Sequence, residues 1–284
     1  MIEPSKNASC VVHATRTAVQ NRLRFSILIQ ILSIADVADL DHRVQESSAY
    51  HGHHVENRGS RRRPAWPILV VRWLATVVVG YFAACTILLL AMIWIDPPTT
   101  GVQMQRRVES WFGDDAYAKQ QTFLSIRDID RDLKWAVVAA EDGRFYEHHG
   151  VDWQAVEKAV EEREARGRVR GGSTITQQLA KNLFLTTHSN WLRKAVELPL
   201  AYLTDVILHK ERILEIYLNI VEWGPGVYGA EEASRYHYRR SASQLSRDQA
   251  ARLAACLPDP LRRRPERMHS MSRSIMTRMR QLGY

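Results

Sequence analysis

"RGGSTITQQLAKNLFL", Arg170 to Leu185, opens with two glycines, passes through hydroxyls and amides, and finishes in an apolar stripe. Gly171 and Gly172 interrupt whatever precedes them. Ser173 or Thr174 can serve as N-cap, and Gln177 stands three residues after Thr174 as the partner in a capping box. Capping leaves Thr176, Gln178, Lys181 and Asn182 unexplained. A helix start with surplus neutral donors and acceptors suits anions and sugar hydroxyls. Its free backbone N–H groups and dipole favour phosphate, and Lys181 adds a cation one or two turns in.

Working outward, the pattern stays helical from Gly101 nearly to the end. "LKWAVVAAED", Leu133 to Asp142, has an apolar face that ends in acids. "VDWQAVEKAVEEREARGR" reads as a charged amphipathic helix from Val151 to about Arg166. "NWLRKAVELPLAYLTDVILHKERILEIYLN", Asn190 to Asn219, keeps i, i+3, i+4 apolar spacing throughout, with Pro199 expected to kink or interrupt it early. "SASQLSRDQAARLAACL" begins with serine caps and runs buried to Leu257, where Pro258 and Pro260 stop it; a basic helix follows. Strands are expected only as a short hairpin near Gly143 to Gly150 or Arg166 to Gly172. The fold class is mainly α.

On the N-terminal side, "WLATVVVGYFAACTILLLAMIWI", Trp73 to Ile95, holds 23 residues without a charge. A bilayer core needs about 20 apolar residues as helix, so this reads as a membrane span. Trp66, Trp73 and Trp94 match interfacial belts. The stretch is too long, and too far from Met1, for a cleaved signal peptide. Arg58, Arg61, Arg62, Arg63 and Arg72 precede it, whereas Asp96, Pro97 and Pro98 follow. The positive-inside rule then puts the N-terminus in the cytoplasm and the remainder outside. Three parts are expected: a cytoplasmic, disordered segment over 1–66, a transmembrane helix over 67–95, and an external domain over 96–284. In the first part, the patch Phe25 to Ile34 is too short to span, and "HGHH" at His51 to His54 reads as a solvated tract.

The whole 284-residue chain is ordinary in its apolar (45%) and charged (25%) content, and its net charge of +8 suits an anionic partner. With the main domain outside, nucleic acid is excluded and a phospholipid surface or phosphorylated substrate is left. Cys10, Cys85 and Cys256 are too few and scattered for a disulfide framework or zinc site. Cys85 and Cys256 read as small buried hydrophobes.

Two charged clusters carry candidate chemistry. Glu141 and Asp142 end an apolar helix, where acids oppose the helix dipole. They are either an exposed helix end or a carboxylate at a cleft rim, whose raised pKa would suit a general base or acid. His148 and His149 lack an HExxH pattern and read as structural histidines. In "RKAVE", Arg193, Lys194 and Glu197 share one helix face. That face is either a solvated salt-bridge surface or a second carboxylate flanked by phosphate-binding cations, with Lys181, Lys210 and Arg170 adding to the field.

Together, "EDGRFYEHHG" (Glu141 to Gly150), "GGSTITQQLAKN" (Gly171 to Asn182), "RKAVE" (Arg193 to Glu197) and "KERILEIYLN" (Lys210 to Asn219) resemble the motif series of peptidoglycan glycosyltransferases. These are lysozyme-like enzymes found in the glycosyltransferase half of class A penicillin-binding proteins and as monofunctional, membrane-anchored transglycosylases. The resemblance covers about Ser125 to Pro265. "EWGPGVYGAEEASRYHY", Glu222 to Tyr238, continues it, with His237 departing from an aromatic pair.

The resemblance implies a lysozyme-like α-helical domain that polymerises lipid II into linear glycan strands by inverting transfer, releasing undecaprenyl pyrophosphate. Glu141 is implied as the base for the acceptor 4-hydroxyl. Glu197 is implied to assist pyrophosphate departure, directly or through a divalent Mg2+ or Mn2+ ion; no organic cofactor is implied. Ser173, Thr174, Gln177, Gln178, Lys181, Asn182, Arg193, Lys194 and Lys210 are implied substrate contacts, together with Asp142, Phe145 and His148. Implied partners are lipid II, the growing lipid-linked strand, the inner membrane and other wall-synthesis proteins, with the domain periplasmic. The chain has no Ser-x-x-Lys or Lys-Thr-Gly and ends at Tyr284, so a transpeptidase half is not expected. Two rivals share these features: a glycan-cleaving enzyme on the same scaffold, and a non-catalytic scaffold for wall synthesis.

Overall fold

The computed structural model describes residues 66–112, 118–166, 172–188 and 190–284. The expectations for the N-terminal segment (the Phe25 to Ile34 patch, His51 to His54, Arg58 to Arg63), for Arg170, and for most of a hairpin over Arg166 to Gly172 lie outside the described residues.

Helix α1 (Trp66–Ala91) is 26 residues long. Within it, Ile68–Ala91 has a mean hydropathy of 2.3 and is long enough to cross a bilayer. The uncharged stretch and the helix do not coincide: the helix starts before Arg72 and stops at Ala91, and Met92 to Ile95 form a turn. The reason for the stop is visible. Arg212, almost wholly buried, donates from Nε to the Met92 carbonyl at 2.8 Å and from its second terminal nitrogen to Ile95 O and to Asp96. These bonds satisfy carbonyls around the end of the helix. Most of α1 is exposed, but Cys85 and Leu89, with Met92 just beyond its end, are buried against the domain, and the Tyr81 hydroxyl donates to Phe184 O.

The domain is built from α2 (Gly101–Ser110), α3 (Arg131–Glu141), α4 (Trp153–Arg166), α5 (Ile175–Phe184), α6 (Trp191–Ile207), α7 (Lys210–Ile220), α8 (Ala230–Tyr238), α9 (Arg247–Cys256) and α10 (His269–Gln281). Helix α5 is the axis of one half. Its capping box is complete, with Thr174 accepting from Gln177 N and Gln177 reciprocating, and Ile175, Leu179, Ala180 and Leu183 are buried. It packs on α2, α6 and α7, while α3 packs on α9 and α10. One apolar cluster runs through both halves, from Leu133 and Val137 through Leu179, Ile213 and Trp223 to Leu253 and Met279. Cys85 and Cys256 are free and buried.

Two expectations about elements need correction. The segment Asn190 to Asn219 is two helices, and Pro199 does not divide them. Helix α6 passes through Pro199 and ends at Leu208 and His209, both extended. Pro199 and Ala195 are exposed, so the carbonyl that loses its partner to the proline belongs to an exposed face. The break occurs where Leu208 turns into the core.

The hairpin is also elsewhere. Strands β1 (Gln120–Gln121), β2 (Glu222–Gly224) and β3 (Val227–Tyr228) form a sheet in the order β1-β3-β2, with β2 antiparallel and β1 parallel to β3. Gly226 makes the turn possible: its φ is +71°, and a Cβ there would lie 2.5 Å from Ala118 O. Around Gly143 to Gly150 there is only a single bridge, His149 with Val151.

Candidate active site

Glu141 is the last residue of α3 and Asp142 its C-cap. Asp142 is buried and does not stand free. Its Oδ2 accepts the Ile175 N–H at the start of α5 (3.0 Å), and His148 Nε2 lies 2.9 Å from both carboxylate oxygens. This carboxylate therefore ties the end of α3 to the N-terminus of α5, where a negative charge complements the dipole. The tie sets Glu141 against the first turns of α5.

There, Gln178 donates from Nε2 to Glu141 Oε2 at 2.7 Å. Burial pushes the Glu141 carboxyl above the usual range; the Gln178 hydrogen bond and the charges of Lys181 and Arg263 oppose that shift without cancelling it. Glu141, Asp142, Gly172, Ser173 and Thr174 line one cleft, together with Arg144 and Asp152. A partly exposed carboxylate with raised proton affinity on a cleft wall is equipped to accept a proton from a hydroxyl.

Glu197 is in a different state. It is 3% exposed, and its two oxygens are taken by Arg193 at 2.5 Å and Lys194 at 2.5 Å. Lys194 also donates to Ser173 Oγ at 3.1 Å. Ser173 lines the cleft, so Glu197 reaches it through Lys194 and not directly. Lys181 joins the two acids. Burial lowers its pKa, the charge of Glu197 raises it, Arg193 and Lys194 lower it, and Glu141 raises it. A cation-rich wall organised by a buried carboxylate thus stands beside the cleft.

Several expected substrate contacts have other partners. Thr174 and Gln177 are almost fully buried in the capping box, and the Thr174 hydroxyl donates to Gly150 O at 2.5 Å. Asn182 donates to the Gln178 carbonyl. Phe145 is fully buried as packing, with Lys210 Nζ 4.8 Å from its ring centre, so its ring cannot line the cleft. His148 is buried against Asp142. Lys210 is paired with Asp205 at 2.6 Å, on which His149 also converges. These pairs hold Lys210 in a cluster of its own, apart from the ion pairs of Glu197. Among the described residues, no three His, Cys, Asp or Glu side chains come together. With both Glu197 oxygens already paired to cations, the donor set does not fit a resident divalent ion.

Two residues near Glu141 were not singled out from the sequence. Arg263 lies in "LRRRP", where nothing separates it from its neighbours; it is held by a bond to Ala255 O. Tyr217, inside an apolar helical run, places its hydroxyl 2.8 Å from Gln178 Oε1.

A family model described as Transglycosylase matches residues 106–281. Among curated relatives, the biosynthetic peptidoglycan transglycosylase of Pseudomonas entomophila is 44% identical over 193 residues, covering 68% of this chain and 82% of the relative. That of Pseudomonas aeruginosa is 44% identical over 191 residues, covering 67% and 82%. That of Pseudomonas syringae pv. tomato is 41% identical over 192 residues, covering 68% and 81%. The matched span contains every helix that builds the cleft, and on that ground the chain belongs to the transglycosylase family and is a peptidoglycan glycosyltransferase of cell-wall synthesis.

Proposed function

We propose that the chain polymerises lipid II into linear glycan strands at the outer face of the inner membrane, with Glu141 as general base. The acceptor 4-hydroxyl gives its proton to Glu141 as its oxygen attacks the anomeric carbon of the lipid-linked donor. The bond from that carbon to the pyrophosphate breaks with inversion, and the pyrophosphate leaves with the electron pair. Departure of a pyrophosphate needs positive charge more than a proton, and Lys181, Arg193 and Lys194 supply it. Glu197 holds those cations in place. No step is assigned to a metal ion.

The observation that carries this reading is the pairing of a proton-accepting carboxylate on the cleft with a cation cluster that shares Lys181 with it. The membrane side is supported by α1 and by α6, which packs against it. Helix α6 exposes Trp191, Leu192, Tyr202 and Val206. An apolar stripe beside a membrane helix fits a domain seated on the bilayer, where a lipid-linked substrate arrives. Positive flanking residues before α1 support a cytoplasmic N-terminus and a periplasmic domain.

The test is polymerisation of fluorescent lipid II by the purified full chain. Glu141→Gln should lower kcat by about 100-fold or more, with thermal unfolding still cooperative. Undiminished turnover would remove Glu141 from the mechanism. In a parallel assay on finished peptidoglycan, product there and none from lipid II would favour the glycan-cleaving rival.

A further inference from the structure

We propose that Tyr217, which lines no cleft, is a positioning residue for the transfer reaction: its hydroxyl locks the Gln178 amide in the one orientation that presents a donor to Glu141. The proposal rests on the reading of Glu141 as general base and adds how that base is kept ready.

A primary amide has a donor end and an acceptor end of nearly equal size. Turned one way, Gln178 gives Glu141 an N–H; turned the other, it gives the carboxylate a second oxygen. Something must choose. Tyr217 is 0% exposed on α7, and its hydroxyl lies 2.8 Å from Gln178 Oε1, while Gln178 Nε2 lies 2.7 Å from Glu141 Oε2. Ionised Glu141 can only accept, so the nitrogen faces it. The oxygen then faces Tyr217, which must donate. Burial holds the Tyr217 phenol well above its ordinary pKa, and the charges of Glu141 and Asp142 push it the same way, so the hydroxyl keeps its proton. The backbone of Gln178 is held as well, since Asn182 donates to its carbonyl at 2.8 Å. Tyr217, Gln178 and Glu141 therefore form a chain of hydrogen bonds between the core and the cleft: the carboxylate selects the amide nitrogen, and the Tyr217 hydroxyl holds that orientation by donating to the oxygen.

The consequence is electrostatic. The Gln178 hydrogen bond favours the charged carboxylate against the burial that disfavours it. The other charges around Glu141 are Lys181 from α5, Arg263 from the segment before α10, and Asp142 beside it. Removing the Tyr217 hydroxyl leaves all of these in place and frees only the amide. Glu141 then loses a reliable donor, and its proton affinity rises.

The experiment compares the full chain with its Tyr217→Phe, Gln178→Leu and double variants, following lipid II polymerisation against pH. Tyr217→Phe should move the acid limb of the kcat profile up by about one pH unit, which lowers kcat about ten-fold on that limb, and leave KM near its original value. In the Gln178→Leu background the same substitution should have no further effect, because the amide it orients is gone. An unshifted acid limb, or equal effects of Tyr217→Phe with and without Gln178, would overturn the proposal. A lowered unfolding midpoint with an unchanged pH profile would also overturn it, since that marks a purely structural tyrosine. Failure of the base reading is separable. If Glu141→Gln keeps full activity, both ideas fall; if Glu141→Gln is inactive and Tyr217→Phe behaves as the parent, only Tyr217 is wrong.

Discussion

Glu141 and Glu197 are both carboxylates on helices of one domain, yet their surroundings differ sharply. Glu141 is held in a partly buried place with one neutral donor and two cations at longer range, so burial prevails and its proton affinity rises. Glu197 is more deeply buried but touches two cations directly. Stability follows from the first difference. A carboxyl with a folded pKa above its unfolded value binds more protons in the folded state across that interval. Its favourable contribution is complete below the unfolded pKa of about 4.3 and is lost as pH rises through the folded pKa. Glu141→Gln should therefore raise the unfolding midpoint at pH 8 and leave it little changed at pH 4, a comparison that thermal melts at the two pH values settle. Glu197 depends instead on its two direct partners. Arg193→Ala removes one of two direct partners of a nearly buried charge and should cost about 3 kcal/mol, read from chemical denaturation, besides weakening turnover.

Among the elements, α7 does the most joining. One face gives Arg212 to the end of α1, another gives Tyr217 to Gln178, and Glu215 accepts the Ile126 N–H. The end of α1 and the Glu141 carboxylate, the base in the proposed mechanism, are thus both referenced to α7. Arg212→Ala removes donors from two carbonyls and from Asp96 and Glu215. The expected loss is about 2 kcal/mol or more, seen as a lower unfolding midpoint of the full chain in detergent. Apolar periodicity carried the helices α3, α5 and α6 into view from the sequence, because those helices bury one face each. It could not separate α6 from α7, since Leu208 continues the apolar spacing while leaving helical backbone. The turn at Gly226 was equally hidden: Pro225 and Gly226 show in the sequence, but the Ala118 carbonyl that approaches Gly226 comes from more than a hundred residues away.

At the scale of the molecule, the long apolar helix α1 is packed against the domain that follows it. Its last turn and the residue after it enter the core through Leu89 and Met92, and α6 lies against α1 with apolar side chains outward. Val206, on that outward stripe, is 72% exposed. Val206→Asp should change stability by no more than about 0.5 kcal/mol, yet slow polymerisation of lipid II in vesicles more than in detergent. Equal slowing in both would mean that the stripe serves the fold and not the bilayer.

The long apolar helix, the mainly helical class and the capping box at Thr174 were determined by the sequence, because each depends on residues within a few turns of one another. Tertiary structure alone decided which polar groups meet. It paired Asp142 with the start of α5, buried Gln177 and Phe145 away from the cleft, gave Lys210 to Asp205, and brought Arg263 and Tyr217 to the neighbourhood of Glu141. Hydrogen bonds and charges act over a few ångströms of space, and separation along the chain does not register in them.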